Sequence, residues 1–281
     1  WMEKMAVERL EYKSEHISEI LKYTNGDWNE TLYIVLARNF GFGTNALPFE
    51  QLAMHTPLNV LLHNADNLYA LEAVIFGQAG VLNGQPNDEY SRNLTNEYYF
   101  WQKKYDLTPI PESMWKHSKM HPANSPETRL AQFAATMQKF QELADSISNN
   151  KFDRGIFDDL KLSDYWKTHF SLGRISSKNK ETKIGKQTID TILINTMIPF
   201  SYIYGKTTNP NFDSEKIIDL MRTVKAEDNR EIRAFVGIDK IKCNNALDSQ
   251  AMLNLKKNYC DRKHCLKCSI GFQIMKEVNK I

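Results

Sequence analysis

Apolar residues recur with the spacing of an α-helix through most of the chain. In the first segment, Met5, Leu10, Ile17 and Ile20 fall on one side of a helix that we predict to end near Tyr23. No segment shows sustained alternation of apolar and polar residues with a period of two. The pattern therefore predicts an all-α fold, an irregular multi-helix bundle with long ordered loops.

Helix start and stop signals refine this prediction. Asp27 is expected to cap a helix from Trp28 to Phe40, because a carboxylate can accept the free N–H groups of the first turn. Ser125 followed by Pro126 predicts the start of a long helix that extends to about Ile147. Pro199 should kink a later helix, since proline lacks the N–H of a regular helical bond.

The length of 281 residues suits one large domain or two small ones. We predict a single helical domain over residues 1–281, with subdomains 1–106 and 125–281. The proline-rich passage 107–124 would join them as a long ordered loop or hinge.

Composition narrows the class of protein. Apolar residues make up 42% and charged residues 25% of the chain, and no apolar run approaches the length of a membrane span, which predicts a soluble globular protein with no membrane partner. A net charge of +2 is too small to indicate nucleic-acid binding by itself. Four cysteines in a chain of this length predict no disulfide framework, so we expect a reducing, cytoplasmic location.

The first ten residues, Trp1 to Leu10, already have the apolar spacing of a helix interior, with no cap before them. We therefore expect the chain to start inside a helix of a longer protein. The missing N-terminal region would then be the first partner of this domain.

The C-terminal run from Tyr259 to Gly271 combines soft metal ligands with positive charge. Its cysteines have the spacing Cys260-x4-Cys265-x2-Cys268, and a pair separated by two residues lets both sulfurs reach one ion. His264 and Cys243 are candidates for a fourth ligand. This pattern predicts a structural zinc ion or an iron–sulfur cluster, and the alternative is reduced cysteines that pack a terminal helix.

Nearby basic side chains should lower the pKa of these thiols and so favour the metal-binding thiolates. They are Lys256, Lys257, Arg262, Lys263 and Lys267.

The most apolar segment, Leu68 to Leu82, contains Glu72 and Gln78. A buried carboxylate is costly unless it is paired or protonated, so Glu72 should face solvent or have a partner. A structural helix contact is the first interpretation. The second is a catalytic site in which Glu72, Gln78 and Arg129 meet in a cleft between helices.

The helix predicted from Glu89 to Tyr105 is rich in aromatic residues, which at this density usually form core. The alternative is an exposed platform on which nucleobases stack, with phosphate contacts from Arg92, Lys103 and Lys104.

Motifs along nearly the whole chain resemble the family known as domain of unknown function 2851, uncharacterised bacterial proteins common in the Bacteroidetes. The motifs that carry the resemblance are Met5 to Leu10 with Lys13, Ala37 to Gly41 with Asn45, Glu72-Ala73, Phe76 to Gly80, Pro122 to Asn124, Pro126, Arg129, Ala131-Gln132, Asn195, Pro199, Tyr204-Gly205, Glu227 to Asn229, Tyr259-Cys260, Cys265, Cys268 and Ile270-Gly271.

The resemblance implies a longer protein, with an N-terminal region of strands whose acidic and histidine pattern suggests a nuclease-like core. One departure is His121, because the family pattern has arginine there. The family name supplies no activity.

Three functions follow as hypotheses. The preferred one is a helical accessory, scaffold or binding domain of a cytoplasmic bacterial protein. The first alternative is a nucleic-acid-processing protein in which the basic C-terminal run contacts phosphate. The second is an enzyme with its polar site between helices. The chain contains no Walker loop, dinucleotide fingerprint, nucleophile elbow or His-Glu-x-x-His motif, so the sequence identifies no catalytic motif.

Overall fold

A computed structural model describes residues 1–85, 88–117, 125–149, 154–177, 179, 183–237 and 242–278. The fold is all-α, as predicted. The sheet found in these ranges is a single two-stranded hairpin of β1 (His169–Ser171) and β2 (Arg174–Ile175), which the sequence pattern did not predict. His121, where the sequence departs from the family pattern, lies outside the described residues.

The chain separates into two compact units. Unit 1 comprises residues 1–19 and 193–281, and unit 2 comprises residues 20–192. The first helix, α1 (Met2–Tyr23), crosses from one unit into the other. The described part of the passage 107–124 lies within unit 2. The division into a single domain with subdomains 1–106 and 125–281 stays a prediction.

Unit 2 contains most of the helices. They are α2 (Trp28–Phe40), α3 (Ala46–Met54), α4 (Leu58–Leu62), α5 (Leu68–Gln78), α6 (Glu89–Tyr105), α7 (Pro126–Met137), α8 (Phe140–Ser148) and α9 (Lys186–Ile192). Short 3-10 turns occur at Glu112–Met114, Arg154–Phe157 and Asp164–Lys167.

The core of unit 2 is built around the ring of Phe133. Phe40, Phe49 and Tyr33 pack against it with ring centroids 5.4, 6.0 and 6.1 Å away. All four rings are fully buried, so α2, α3 and α7 share one aromatic core.

Several helix boundaries follow from local chemistry. Asp27 caps α2 by accepting hydrogen bonds from the N–H groups of Asn29 and Glu30, as predicted. Ser125 caps α7 through the N–H of Thr128, also as predicted. The single long helix predicted to reach Ile147 is wrong, because a break at residues 138–139 divides it into α7 and α8.

Unit 1 combines the first nineteen residues with the last third of the chain. Its helices are α1, α10 (Ile198–Thr208), α11 (Glu215–Thr223), α12 (Arg230–Val236), α13 (Ala246–Asn254) and α14 (Ser269–Val278). A π-helical turn at Leu193–Met197 precedes α10, and a second one at Leu255–Cys260 follows α13.

No helix within the described ranges is long and apolar enough to cross a membrane.

Candidate functional site

The most polar centre of unit 1 is organised around the side chain of Lys13, which projects from α1. Its ammonium donates to the carbonyl oxygen of Ile194 at 3.1 Å, to Oδ1 of Asn195 at 2.9 Å and to Oε1 of Gln250 at 2.7 Å. All three acceptors are neutral. An ammonium group has three N–H donors, so these bonds use each of them once.

Two side-chain amides connect this ammonium to a carboxylate. Nδ2 of Asn195 donates to Oε1 of Glu227 at 3.0 Å, and Nε2 of Gln250 donates to Oε2 of the same carboxylate at 2.7 Å. The backbone N–H of Glu227 donates to Oγ of Ser249 at 3.2 Å. The amides of Asn195 and Gln250 therefore lie between the cation and the anion, so Lys13 and Glu227 interact through them rather than in a direct ion pair.

Pro199 explains why the carbonyl oxygen of Ile194 is available to Lys13. In a π-helical turn the carbonyl of residue i accepts a hydrogen bond from the N–H of residue i+5. For Ile194 that residue is Pro199, which has no N–H. The ammonium of Lys13 supplies the missing donor at this π-helical turn. The kink predicted at Pro199 stays a prediction.

Arg9 precedes Lys13 by one helical turn and approaches the same network. Its Nε donates to Oε1 of Gln250 at 3.3 Å. Within the described residues, the two terminal nitrogens of this guanidinium have no hydrogen-bond acceptor. Arg9 is only partly buried. Its terminal N–H groups are therefore free to bind a further group.

Burial lowers the pKa of the Lys13 ammonium to about 7. The carboxylate of Glu227 opposes this shift, and the positive charges of Arg9 and Lys257 add to it. Burial also lowers the pKa of Arg9. A lysine pKa lowered towards neutrality is a feature that is concentrated at functional sites.

A second set of hydrogen bonds joins the C-terminal run to α1. The hydroxyl of Tyr259 and Nδ2 of Asn254 both donate to Oε2 of Glu8, at 2.7 and 3.1 Å. Asn258 in turn donates to Oδ1 of Asn254 at 2.6 Å. These bonds attach the second π-helical turn to the first helix of the same unit.

The cysteines of the predicted metal site differ in environment. Cys260 and Cys265 are exposed and Cys268 is buried. Cys243 is half-buried and packs against the apolar cluster of Ile232, Met252 and Leu253. In the part of the chain that the structure describes, no group of three or more His, Cys, Asp or Glu side chains is arranged to hold a metal ion. The assignment of Cys260, Cys265, Cys268, Cys243 and His264 as ligands stays a prediction.

The prediction that basic neighbours lower the thiol pKa is wrong for Cys260. Burial raises the pKa of this thiol, and the negative charges that Cys268 and Cys265 acquire as thiolates raise it further. Lys256 acts in the opposite direction but is ion-paired with Asp261 at 2.6 Å. Burial likewise raises the pKa of Cys243 to about 11.

In unit 2, Glu72 of α5 is completely buried and has three partners. The indole N–H of Trp166 donates to its carboxylate at 2.9 Å and the hydroxyl of Ser163 at 3.2 Å, and the hydroxyl of Tyr90 also donates to it. Burial raises the pKa of Glu72, while these donors act in the opposite direction. The partner expected for this carboxylate is therefore a set of three neutral donors.

Gln78 and Arg129, the other two residues of the hypothetical cleft, lie in different surroundings. Gln78 is fully buried, and neither polar atom of its side chain has a hydrogen-bond partner within the described residues. The guanidinium of Arg129 lies 4.0 Å from the ring centroid of Phe42 and donates to Gln132 at 2.7 Å. The hydrogen bonds described for Glu72 and Arg129 go to different residues, and their joint catalytic role stays a prediction.

Sequence reasoning did not single out the Lys13 network as a site. Lys13, Asn195 and Glu227 were noted only among the residues that carry the family resemblance. A usable signal was present, because Arg9 and Lys13 are four residues apart and so project from one side of α1. Their partners on α13 and around residue 195 lie too far along the chain for any local pattern to reveal.

A family model with the description "Protein of unknown function (DUF2851)" matches residues 1–230. No curated protein and no solved structure gives a significant match to the chain.

Proposed function

The chain belongs to the DUF2851 family of proteins of unknown function, and we propose that it is a helical binding domain of a cytoplasmic bacterial protein. Its binding centre is the pair Arg9 and Lys13, which receives an anionic oxygen group such as a carboxylate or a phosphate. The observation that carries this proposal concerns both side chains. Lys13 donates only to neutral acceptors, and the terminal nitrogens of the adjacent Arg9 have no acceptor among the described residues.

Charge compensation supports an anion as the ligand. A charge removed from water is costly unless an opposite charge or several hydrogen bonds replace its hydration. Lys13 has the hydrogen bonds but no direct carboxylate contact, because the amides of Asn195 and Gln250 separate it from Glu227. The three N–H donors of Lys13 are already used, so an anionic group would bind the terminal nitrogens of Arg9. It would add its negative charge beside Lys13 to the charges of Glu227 and Glu231 that already act on Arg9.

The guanidinium also has suitable geometry for this role. Its planar N–H groups match the two oxygens of a carboxylate or phosphate in a bidentate contact. The bond from Nε to Gln250 fixes one edge of the Arg9 group, which leaves the terminal nitrogens for a ligand. Binding would therefore require little reorganisation of the site.

Proton uptake should accompany binding. A bound anion stabilises the charged form of Lys13 and so raises its pKa from about 7. Binding should consequently be tighter at pH 6 than at pH 9, by about the tenfold change that corresponds to one unit of pKa shift.

The test is a thermal-unfolding titration with sulfate, an anion whose own charge is constant across this pH range. Sodium chloride at matched ionic strength provides the reference. We expect a saturable stabilisation of the wild-type protein that is larger at pH 6, and its loss in Arg9→Gln and Lys13→Gln. Lys4→Gln is the matched control, since Lys4 is an exposed lysine on the same helix. A stabilisation that never saturates, or that survives in Arg9→Gln, would refute the proposal.

The spacing of Cys260, Cys265 and Cys268 supports one further element of the proposal, a structural zinc ion or iron–sulfur cluster at the C-terminal run. Elemental analysis after growth in metal-supplemented medium tests it. We expect about one equivalent of zinc, or about two to four equivalents of iron for a cluster, lost in Cys265→Ser and retained in Cys243→Ser. Metal-free protein from such preparations would show that the cysteines only pack.

A further inference from the structure

The exposed side of α6 carries an ordered stripe of aromatic and basic side chains. Its members recur at the intervals of three and four residues that place side chains on one side of a helix. They are Arg92, Asn96, Tyr99, Phe100 and Lys103, and all of them are exposed. The two rings are 54% and 57% exposed, so they do not belong to the core.

The opposite side of α6 is the side that is buried in unit 2. Leu94 and Tyr98 are buried, as the core interpretation of this segment predicted. That interpretation is wrong for Tyr99 and Phe100, because the helix is anchored without them. The two rings are therefore available at the surface of unit 2.

A lysine is placed over the neighbouring rings. Nζ of Lys104 lies 4.8 Å from the ring centroid of Trp101, 5.2 Å from that of Tyr105 and 5.8 Å from that of Phe100. The rings of Trp101 and Tyr105 are stacked at 6.0 Å. The stripe thus continues into a cluster in which a cation and flat aromatic surfaces are adjacent.

The surface is also rigid. An Asp88–Ser91 capping box fixes the start of the helix. The indole N–H of Trp101 donates to Oε1 of Glu97 at 2.8 Å, which holds the ring and partly engages the carboxylate nearest to it. The ring of Trp101 is therefore held in place, and the ring of Phe100 packs edge-on against it at 4.9 Å, which reduces the entropic cost of ordering this part of the surface.

We propose that this side of α6 binds single-stranded nucleic acid. Bases would stack on Tyr99 and Phe100, since every base has a flat face and such stacking is tolerant of sequence. Arg92, Lys103 and Lys104 would contact the phosphates on either side of the rings. From Arg92 to Lys103 the stripe extends about 16 Å along the helix, which is enough for a few consecutive nucleotides.

Charge favours nucleic acid over a protein partner. Arg92, Lys103 and Lys104 flank the two exposed rings. The carboxylate of Glu97 accepts a hydrogen bond from the indole of Trp101. The exposed acids at the two ends of the helix, Glu89 and Asp106, lie about 15 Å and about 10 Å from Tyr99 along the axis. The rings are thus bordered by positive charge, which a polyanion complements. This surface shares no residue with the Arg9–Lys13 site, and its test does not depend on that proposal.

The test is fluorescence anisotropy with a labelled oligothymidine of about 12 nucleotides, a length within the site sizes of single-strand binders. We expect saturable binding by the wild-type protein at low salt. Tyr99→Ala and Phe100→Ala should each weaken it roughly 5- to 150-fold, the range that loss of one base stack produces. Lys103→Gln with Lys104→Gln should weaken binding and reduce its salt dependence.

Tyr23→Ala is the matched control, because Tyr23 is an equally exposed tyrosine that lies away from the stripe in sequence. It should leave binding unchanged. Circular dichroism of every variant checks that the helices are retained. A duplex of the same length should bind more weakly, since its bases are already stacked.

Three results would overturn the proposal. They are the absence of binding by the wild-type protein at low salt, binding that Tyr99→Ala and Phe100→Ala leave unchanged, and equal affinity for duplex. Self-association of the wild-type protein that is abolished by Phe100→Ala, without oligothymidine binding, would identify the stripe as a protein interface instead.

Discussion

A β-carbon added to Gly77 would lie 2.1 Å from Cγ of Tyr98. The two residues belong to α5 and α6, so the absence of a side chain at position 77 lets the tyrosine ring rest directly on the backbone of α5. Exposed glycine in a helix interior normally costs about 1 kcal/mol relative to alanine. Here the close packing of the Tyr98 ring on the backbone of α5 outweighs that cost.

Gly77→Ala should therefore destabilise the protein, although alanine favours helix. We expect a loss of about 1–3 kcal/mol in the free energy of unfolding, the usual range for overpacking. Urea unfolding measures it, with Gly84→Ala as the control because a β-carbon there meets nothing within 4 Å. The penalty should shrink in a Tyr98→Leu background. An unchanged penalty would show that the ring does not cause it.

Lys13 should make stability depend on pH above neutrality. Its pKa is about 7 in the folded protein against 10.5 for a free lysine, so the unfolded chain binds more protons between these values. Stability should therefore rise with pH across that window. Lys13→Met should flatten the rise between about pH 7 and pH 10, whereas Lys4→Met should retain it. Parallel curves for wild type and Lys13→Met would contradict the lowered pKa.

Substitution of Glu72 should separate its charge from its hydrogen bonds. Glu72→Leu leaves the buried indole N–H of Trp166 without an acceptor, whereas the part-buried hydroxyls of Tyr90 and Ser163 can still bond to each other at 2.8 Å, and it should cost about 3 kcal/mol. Glu72→Gln keeps one oxygen acceptor, and the hydroxyl of Tyr90 can turn to accept from the new amide. We therefore expect a much smaller loss, of about 1 kcal/mol, by chemical denaturation.

The same variant tests the direction of the Glu72 pKa shift. Because the folded pKa is raised above the unfolded value, the native state binds more protons in the interval between them. Wild-type stability should consequently fall as pH rises through that interval, and Glu72→Gln should lack this fall. Glu89→Gln, at an exposed position, should behave as wild type.

Tyr259→Phe should loosen the attachment of the C-terminal run to α1. It removes the hydroxyl that donates to Glu8 and should cost about 0.5–1.5 kcal/mol. That hydrogen bond raises the pKa of Tyr259 to about 12. The contribution of this hydrogen bond to the free energy of unfolding should be complete below pH 10 and disappear as the pH rises through 12. Equilibrium unfolding at a series of pH values measures it. Tyr12→Phe, at an exposed position on α1, is the control.

Local signals predicted much of the fold. The cap at Asp27 and the helix that follows it were found at the predicted residues, because a capping carboxylate and the apolar periodicity lie in one short window. The break after Met137 was not predicted, since no glycine or proline marks it. The hairpin at residues 169–175 was missed because its strands are too short for alternation to be visible.

The candidate site was less accessible from sequence. Lys13 and Gln250 are 237 positions apart, so their hydrogen bond exists only once the chain has folded. An isolated lysine in an amphipathic helix normally faces solvent. Its partners here depend on a π-helical turn, and that turn has no sequence pattern beyond the proline at 199.

Unit 1 is built from two stretches that lie far apart in the chain, so the ribosome makes its two parts at different times. At a rate of about 5–20 residues per second, the ribosome needs roughly 10–35 s to pass from residue 19 to residue 193. During that interval Lys13 has been made but Asn195, Glu227 and Gln250 have not. Residues 20–192 are continuous and can collapse first, whereas the apolar side of α1 within residues 1–19 meets its partners in unit 1 only after residue 193 has been made. Unit 2 can therefore fold before unit 1 is complete.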